Sequence, residues 1–164
     1  MMADAGNVAL EREPVRLAEL VQECYEDALI LAEPGGLRVS LAACADVVTL
    51  GDRHRLRQLL LNLTDNAVKY NCPQGTVTIA LRPVGEWAEI EIANTGIGIP
   101  PELLPRVFDQ FVRGQAGEGC GLGLAIAQWI VHAHSGTIRI SSEPGQSTIA
   151  RICLPLISGV TPPA

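Results

Sequence analysis

One stretch, Arg57-Gln58-Leu59-Leu60-Leu61-Asn62-Leu63-Thr64-Asp65-Asn66-Ala67-Val68-Lys69-Tyr70, constrains this chain more than any other. Leu56, Leu59, Leu60, Leu63 and Ala67 recur at the i, i+3, i+4, i+7 spacing of a helix face that packs into a core. Asn62, Asn66 and Lys69 recur at i, i+4, i+7 on a stripe beside that face. Two carboxamides and an ammonium so placed can offer neutral oxygens to a metal and a positive charge to phosphates. They also suit a solvated face carrying an Asp65–Lys69 ion pair, worth only about 0.3–0.5 kcal/mol. Periodicity alone leaves both readings open.

The chain has 164 residues, enough for one domain with a real core and too few for two comfortable ones. Hydrophobic residues make up 48% and charged residues 18%, which excludes a disordered chain. No apolar run approaches the roughly 20 residues that span a bilayer, and the N-terminus lacks a signal-peptide layout. A soluble, cytoplasmic domain is expected. Cys24, Cys44, Cys72, Cys120 and Cys153 are scattered without a C-x-x-C pair, against a zinc site or a disulfide framework. A net charge of −6 gives a nucleic-acid partner no support. Lys69 is the only lysine among 12 basic residues, so the one compact ammonium lies on the polar stripe.

Residues 1–13 read as a polar tail that adds little to a core. After Pro14, Leu17, Leu20, Val21, Cys24, Ala28 and Leu31 predict a helix, stopped by Pro34-Gly35-Gly36. Leu37–Ala43 and Val47–Leu50 predict short strands, and Asp52 is a candidate N-cap for the helix of the opening stretch. Asn71-Cys72-Pro73-Gln74-Gly75 breaks that helix. Thr76–Arg82 and Trp87–Ala93 predict adjacent antiparallel strands, followed by a Gly/Pro-rich loop and a short amphipathic piece, Leu103–Phe111. A second apolar helix is expected from Gly121 to about His134, burying Leu122, Ala125, Ile126, Trp129 and Ile130. Thr137–Ser142 and Ser147–Leu154 predict two strands around Pro144-Gly145, and 157–164 a tail. The class is α+β, a two-layer sandwich with helices on one face of a mixed or mostly antiparallel sheet.

Three glycine-bearing sites accompany these elements. Gly96-Ile97-Gly98 follows a strand, where glycines let the backbone approach a flat ligand. Gly117-Glu118-Gly119-Cys120-Gly121-Leu122-Gly123-Leu124 runs into a helix start, where free N–H groups and the dipole favour phosphates, although a flexible linker with a cap looks the same. Gly145-Gln146-Ser147-Thr148 is most economically a hairpin turn. Neither a P-loop nor a dinucleotide G-x-G-x-x-G fingerprint is present.

The order of these motifs resembles the ATP-binding catalytic domain of bacterial two-component sensor histidine kinases, in the superfamily of gyrase, Hsp90 and MutL-type ATPases. Over roughly residues 14–156, Asn62–Tyr70 is similar to the family's N box, Asn94-Thr95-Gly96-Ile97-Gly98-Ile99 to its G1 box, Phe108-Asp109-Gln110-Phe111 to its F box and Gly119–Leu124 to its G2 box. The resemblance implies a Bergerat-type sandwich, a sheet of about five strands under three helices. It implies Asn66 as a Mg²⁺ ligand, Asn62 beside it and Lys69 reaching the phosphates of ATP. Tyr70, Asn94, Gly96, Gly98 and Ile99 would surround the nucleotide. Phe108, Phe111, Gly119, Gly121, Leu122, Gly123, Leu124 and Thr148 would complete its site, under a lid at roughly Asp109–Gly119. The chemistry is reasonable, because Mg²⁺ needs only one or two protein oxygens when a triphosphate supplies the charge.

The departures from the family's pattern carry expectations of their own. Asn94 replaces the usual G1 aspartate, keeping an acceptor for the adenine amino group but losing charge assistance, about 1 kcal/mol. Ser147 replaces a glycine in the last turn, a change expected to be structural. Cys120 inside the G2 box is small filler or a redox-sensitive thiol. Asn62 stands where ATP-hydrolysing relatives have a glutamate base, and an amide cannot take a proton from water, which favours transfer over hydrolysis. His132 and His134 point to different faces and make no metal pair, and His54 is expected to be solvated. The implied partners are a separate helical dimerisation domain carrying the phosphoacceptor histidine, with residues 1–13 as the remnant of the connection, and a response-regulator receiver domain. A monomer is expected, and a full-length parent anchored in the inner membrane is compatible with it. The competing expectation is a nucleotide-sensing or docking module that has lost catalysis.

Overall fold

The computed structural model describes residues 10–69, 71–96, 102, 105, 107–108, 120–143 and 145–157, and the side chains of all of these except 120–123. In chain order the elements are β1 Glu13–Arg16, α1 Leu17–Ala32, β2 Arg38–Cys44, β3 Val48–Gly51, α2 Arg53–Lys69, β4 Thr76–Val84 and β5 Trp87–Thr95. After the loop come α3 Cys120–Ala133, β6 Thr137–Glu143 and β7 Ser147–Pro155.

Five strands form one sheet in the order β2-β4-β5-β7-β6. Only β2 and β4 run parallel, because α2 must cross over between them; every other neighbour is antiparallel. Alternation puts one apolar residue of each of β4, β5, β7 and β6 in line across the sheet: Leu81 opposite Ile90, Ile90 opposite Ile152, and Ile152 opposite Ile138. That face is buried beneath α1, α2 and α3 in a single core. The opposite face carries Glu89, Glu91 and Arg151, with Arg151 bonded to both carboxylates. The expected α+β sandwich, a mixed five-stranded sheet covered on one face by three helices, is what forms.

The leucine face of α2 lies where its spacing places it, with Leu56, Leu59, Leu60, Leu63 and Ala67 all buried. Each leucine stabilises the fold by about 1.5–3 kcal/mol relative to exposure. Asp52 caps the helix, its Oδ1 accepting from Arg55 N–H at 3.1 Å. On the outer side of α2, Arg53 bridges Glu19 and Glu23 of α1, and Arg57 bridges Glu23 and Asp27. These pairs are half-exposed, so each contributes little alone and they act as a network that fixes register.

Three features differ from the expectations. β1 is a strand rather than the start of α1; it pairs antiparallel with β3 in a separate two-stranded sheet, burying Val15. At the end of α1 it is Ala32 that faces the core, and Leu31 is 39% exposed. On α3 the buried face is Ala127, Ile130, Val131 and His134, while Ile126 is 43% exposed and Trp129 only half-buried, with the Arg55 guanidinium stacked 5.5 Å from its ring centroid. Apart from Gln128 and His132 the helix is apolar, so hydropathy phases it poorly; packing against α2 sets its face.

His134, in the turn just past the end of α3, holds the start of α2. Its Nδ1–H donates to Ile130 O at 2.8 Å, which leaves Nε2 to accept from Asp52 N–H at 3.0 Å. Burial pushes the His134 pKa down. Gly51 is required beside it, since a Cβ there would collide with the imidazole ring.

Candidate nucleotide site

Burial of the leucine face turns the stripe of Asn62, Asn66 and Lys69 toward the margin of the core. Asn62 and Asn66 are half-buried and Lys69 is exposed, its ammonium 3.5 Å from Asp65 Oδ2. The Asp65–Lys69 pair is real but weakly held, as both side chains are half-exposed, so Lys69 is free to leave it.

The end of β5 provides a second wall. Asn94 is only 8% exposed, and its Nδ2 donates to Thr95 O at 2.7 Å. Flipping the amide would set two oxygens against each other, so Oδ1 is the atom left for a ligand. Among the described residues nothing donates to that oxygen. A buried acceptor without a donor fits an amino group arriving from outside. Gly96 follows at φ 142°, a conformation that a side chain would strain, and its N–H bonds Gln146 O at 3.1 Å.

That bond ties the G1 segment to the β6–β7 turn. Thr148 lies directly across from Asn94 in the β5–β7 ladder, and its hydroxyl is 3.3 Å from Ser142 Oγ. The turn is thus a hairpin, as expected, and also the floor beside Asn94. Phe108 and Leu124 pack half-buried against the core from the two ends of the intervening loop. α3 begins at Cys120, so the backbone of Gly121 and Gly123 forms its first turn, with α3 packed on α2. Tyr70, Gly98, Ile99, Phe111 and Gly119, and the lid at 109–119, lie outside the described residues, as do the side chains of Cys120 and Leu122.

Two residues that the motifs did not single out join these walls. Thr95 Oγ1 donates to Asn71 Oδ1 at 2.7 Å and accepts from Thr76 N–H at 2.8 Å. Asn71 Nδ2 donates to Thr76 O at 2.9 Å. The end of α2 is thereby fastened to the end of β5. The only sequence signal was an Asn after a helix, which marks a turn and nothing more.

Among the described residues no cluster of acidic, histidine or cysteine side chains could hold a metal by itself. Nor is any described helix long and apolar enough to cross a membrane.

Residues 51–158 match the family model for histidine kinase-, DNA gyrase B- and HSP90-like ATPases. Sensor protein DivL of Caulobacter vibrioides is 38% identical over 153 residues, spanning 93% of this chain and 20% of DivL. The adaptive-response sensory kinase SasA of Synechococcus elongatus is 44% identical over 116 residues, 68% of this chain and 30% of SasA. The chain therefore spans well under half the length of these relatives. Among solved structures, the mycobacterial sensor histidine kinase MprB superposes with a TM-score of 0.78 at 30% identity, covering 88% of this chain and 98% of that one. Full-length ShkA in complex with AMPPNP superposes with a TM-score of 0.85 at 29% identity, covering 98% of this chain and 35% of ShkA. The match over most of the chain, on a sandwich whose N-box helix and G1 strand end side by side, shows that this chain belongs to the histidine kinase-, DNA gyrase B- and HSP90-like ATPase family, in the company of sensor histidine kinases.

Proposed function

We propose that this domain binds ATP with Mg²⁺ and presents the γ-phosphate to a histidine on a separate helical dimerisation domain, as the cytoplasmic catalytic module of a sensor kinase. The observation that carries the reading is the pairing of a carboxamide stripe on α2 with a buried Asn94 oxygen at the end of β5 that has no donor among the described residues. Asn94 Oδ1 accepts from the adenine amino group. Gly96 lets the backbone lie close to the base. Asn66 supplies the protein oxygen to Mg²⁺, with Asn62 beside it. Lys69 swings from Asp65 to the phosphates, a small loss because that pair is half-exposed. The first turn of α3 offers free N–H groups to the same phosphates.

Mg²⁺ held by Asn66 would supply charge neutralisation at the phosphate oxygens. The chain's own work is to orient, since phosphoryl transfer depends mainly on alignment and charge. With an amide at Asn62 in place of a carboxylate base, water is not activated and an external acceptor is preferred. The phosphoryl group would then pass to a response-regulator receiver domain.

Asn94 itself favours a second reading, a nucleotide-sensing module without catalysis, because its neutral amide binds adenine less strongly than a carboxylate. Incubation with radiolabelled ATP, Mg²⁺ and the cognate helical domain separates the two. Acid-labile phosphohistidine on the helical domain supports the kinase; Mg²⁺-dependent ATP binding without it supports the sensing module.

A further inference from the structure

We infer that Thr95 and Asn71 are positioning residues that set the spacing between the two halves of the proposed nucleotide site. The inference rests on that proposal. Asn66 and Lys69 stand on the last turns of α2, and Asn94 and Gly96 flank Thr95 at the end of β5. The Thr95 hydroxyl links the two, donating to Asn71 Oδ1 at 2.7 Å and accepting from Thr76 N–H at 2.8 Å. Asn71 is held in turn, its Oδ1 accepting from Cys72 N–H at 2.8 Å and its Nδ2 donating to Thr76 O at 2.9 Å. Gly75 is shaped to this join, because a Cβ there would collide with both Asn71 Oδ1 and Thr95 Oγ1. Three chain segments thus meet through two side chains, neither of which needs to touch the nucleotide.

A ligand that spans both halves should feel this spacing, and a ligand that touches one half should not. Binding of an ATP analogue with Mg²⁺ and binding of adenosine alone are therefore measured on wild type, Thr95→Val, Asn71→Ala, the double variant and Thr95→Ser. Thr95→Val and Asn71→Ala each weaken the ATP analogue about tenfold, the scale of one aligned hydrogen bond, and leave adenosine within about twofold. The double variant loses little more than either single one, as expected of one shared contact. Thr95→Ser, which keeps the hydroxyl, restores affinity to near wild type. Equal losses for both ligands would mean general loosening of the fold and would overturn the inference, and so would undiminished binding of both. Should wild type itself fail to bind the ATP analogue with Mg²⁺, the proposed function fails rather than the positioning role alone.

Discussion

His134 Nε2 accepts a hydrogen bond from the backbone N–H of Asp52 at 3.0 Å, so the residue just past the end of α3 fixes the first turn of α2. The acceptor role requires a neutral ring. Burial first, and the Arg12 charge after it, lower the His134 pKa against the opposing pull of the Ile130 bond and the Asp52 carboxylate. A folded pKa below the unfolded value of about 6.5 means that unfolded chains bind more protons in this window. The stabilisation is therefore complete above about pH 6.5 and is lost as pH falls toward the lowered folded pKa. Urea melts of wild type should weaken from pH 7.5 to 5.5. His134→Phe should be less stable by about 1–3 kcal/mol at pH 7.5, from the unpaired Asp52 N–H, and should lose that pH slope. An unchanged slope in the variant would remove His134 from the account.

The phase of α3 is tested by two isoleucines. Ile126 is 43% exposed and Ile130 fully buried. Ile130→Ala should cost about 2–5 kcal/mol and Ile126→Ala under about 1 kcal/mol in chemical denaturation. A cost for Ile126→Ala as large as that for Ile130→Ala would put Ile126 back on the buried face expected from the sequence.

How far the sequence could be read follows from where its signals are local. The faces of α2 were legible because leucines and polar residues segregate cleanly at period 3.6, and the β4–β5 and β6–β7 hairpins because each is closed by a short glycine turn. α3 was misphased because Leu124, Ala125, Ile126, Ala127, Trp129, Ile130 and Val131 leave only Gln128 and His132 to orient it. β1 was missed because Glu-Pro-Val-Arg has no alternation and its partner β3 lies more than thirty residues on. The 10–13 segment, read as part of a tail, is docked: Glu11 N–H bonds Asp52 Oδ2 and Arg12 bonds Ala133 O at 2.8 Å. Of the candidate site, Asn62, Asn66, Lys69 and Asn94 are among the residues that the motifs name. The Thr95–Asn71 bond could not be named, because neither partner stands out until the fold joins residues 24 apart.

Cys24 should be chemically silent in the folded domain. It is buried against α2 with its sulfur 2.7 Å from Thr64 Oγ1, and burial pushes its pKa up to about 11. Brief alkylation at pH 8, mapped by mass spectrometry, should label the exposed Cys72 and leave Cys24 unmodified until denaturant is added. Labelling of Cys24 under native conditions would contradict this packing.

Asn94→Asp reverses the family departure at a position whose amide donates to Thr95 O. A carboxylate there loses the donor and faces the carbonyl, so the domain without ligand should be less stable by about 1–3 kcal/mol at pH 7.5. A protonated carboxyl can donate to Thr95 O again, so the deficit against wild type should shrink at pH 4.5. A deficit independent of pH would place the amide differently.

The most direct test of the nucleotide site is calorimetric titration of the domain with a non-hydrolysable ATP analogue, with and without Mg²⁺, on wild type and Asn66→Ala. Wild type should bind more tightly with Mg²⁺, and Asn66→Ala should lose that Mg²⁺ enhancement while keeping the fold. Mg²⁺-independent binding in both proteins, or no binding by wild type, would contradict the account.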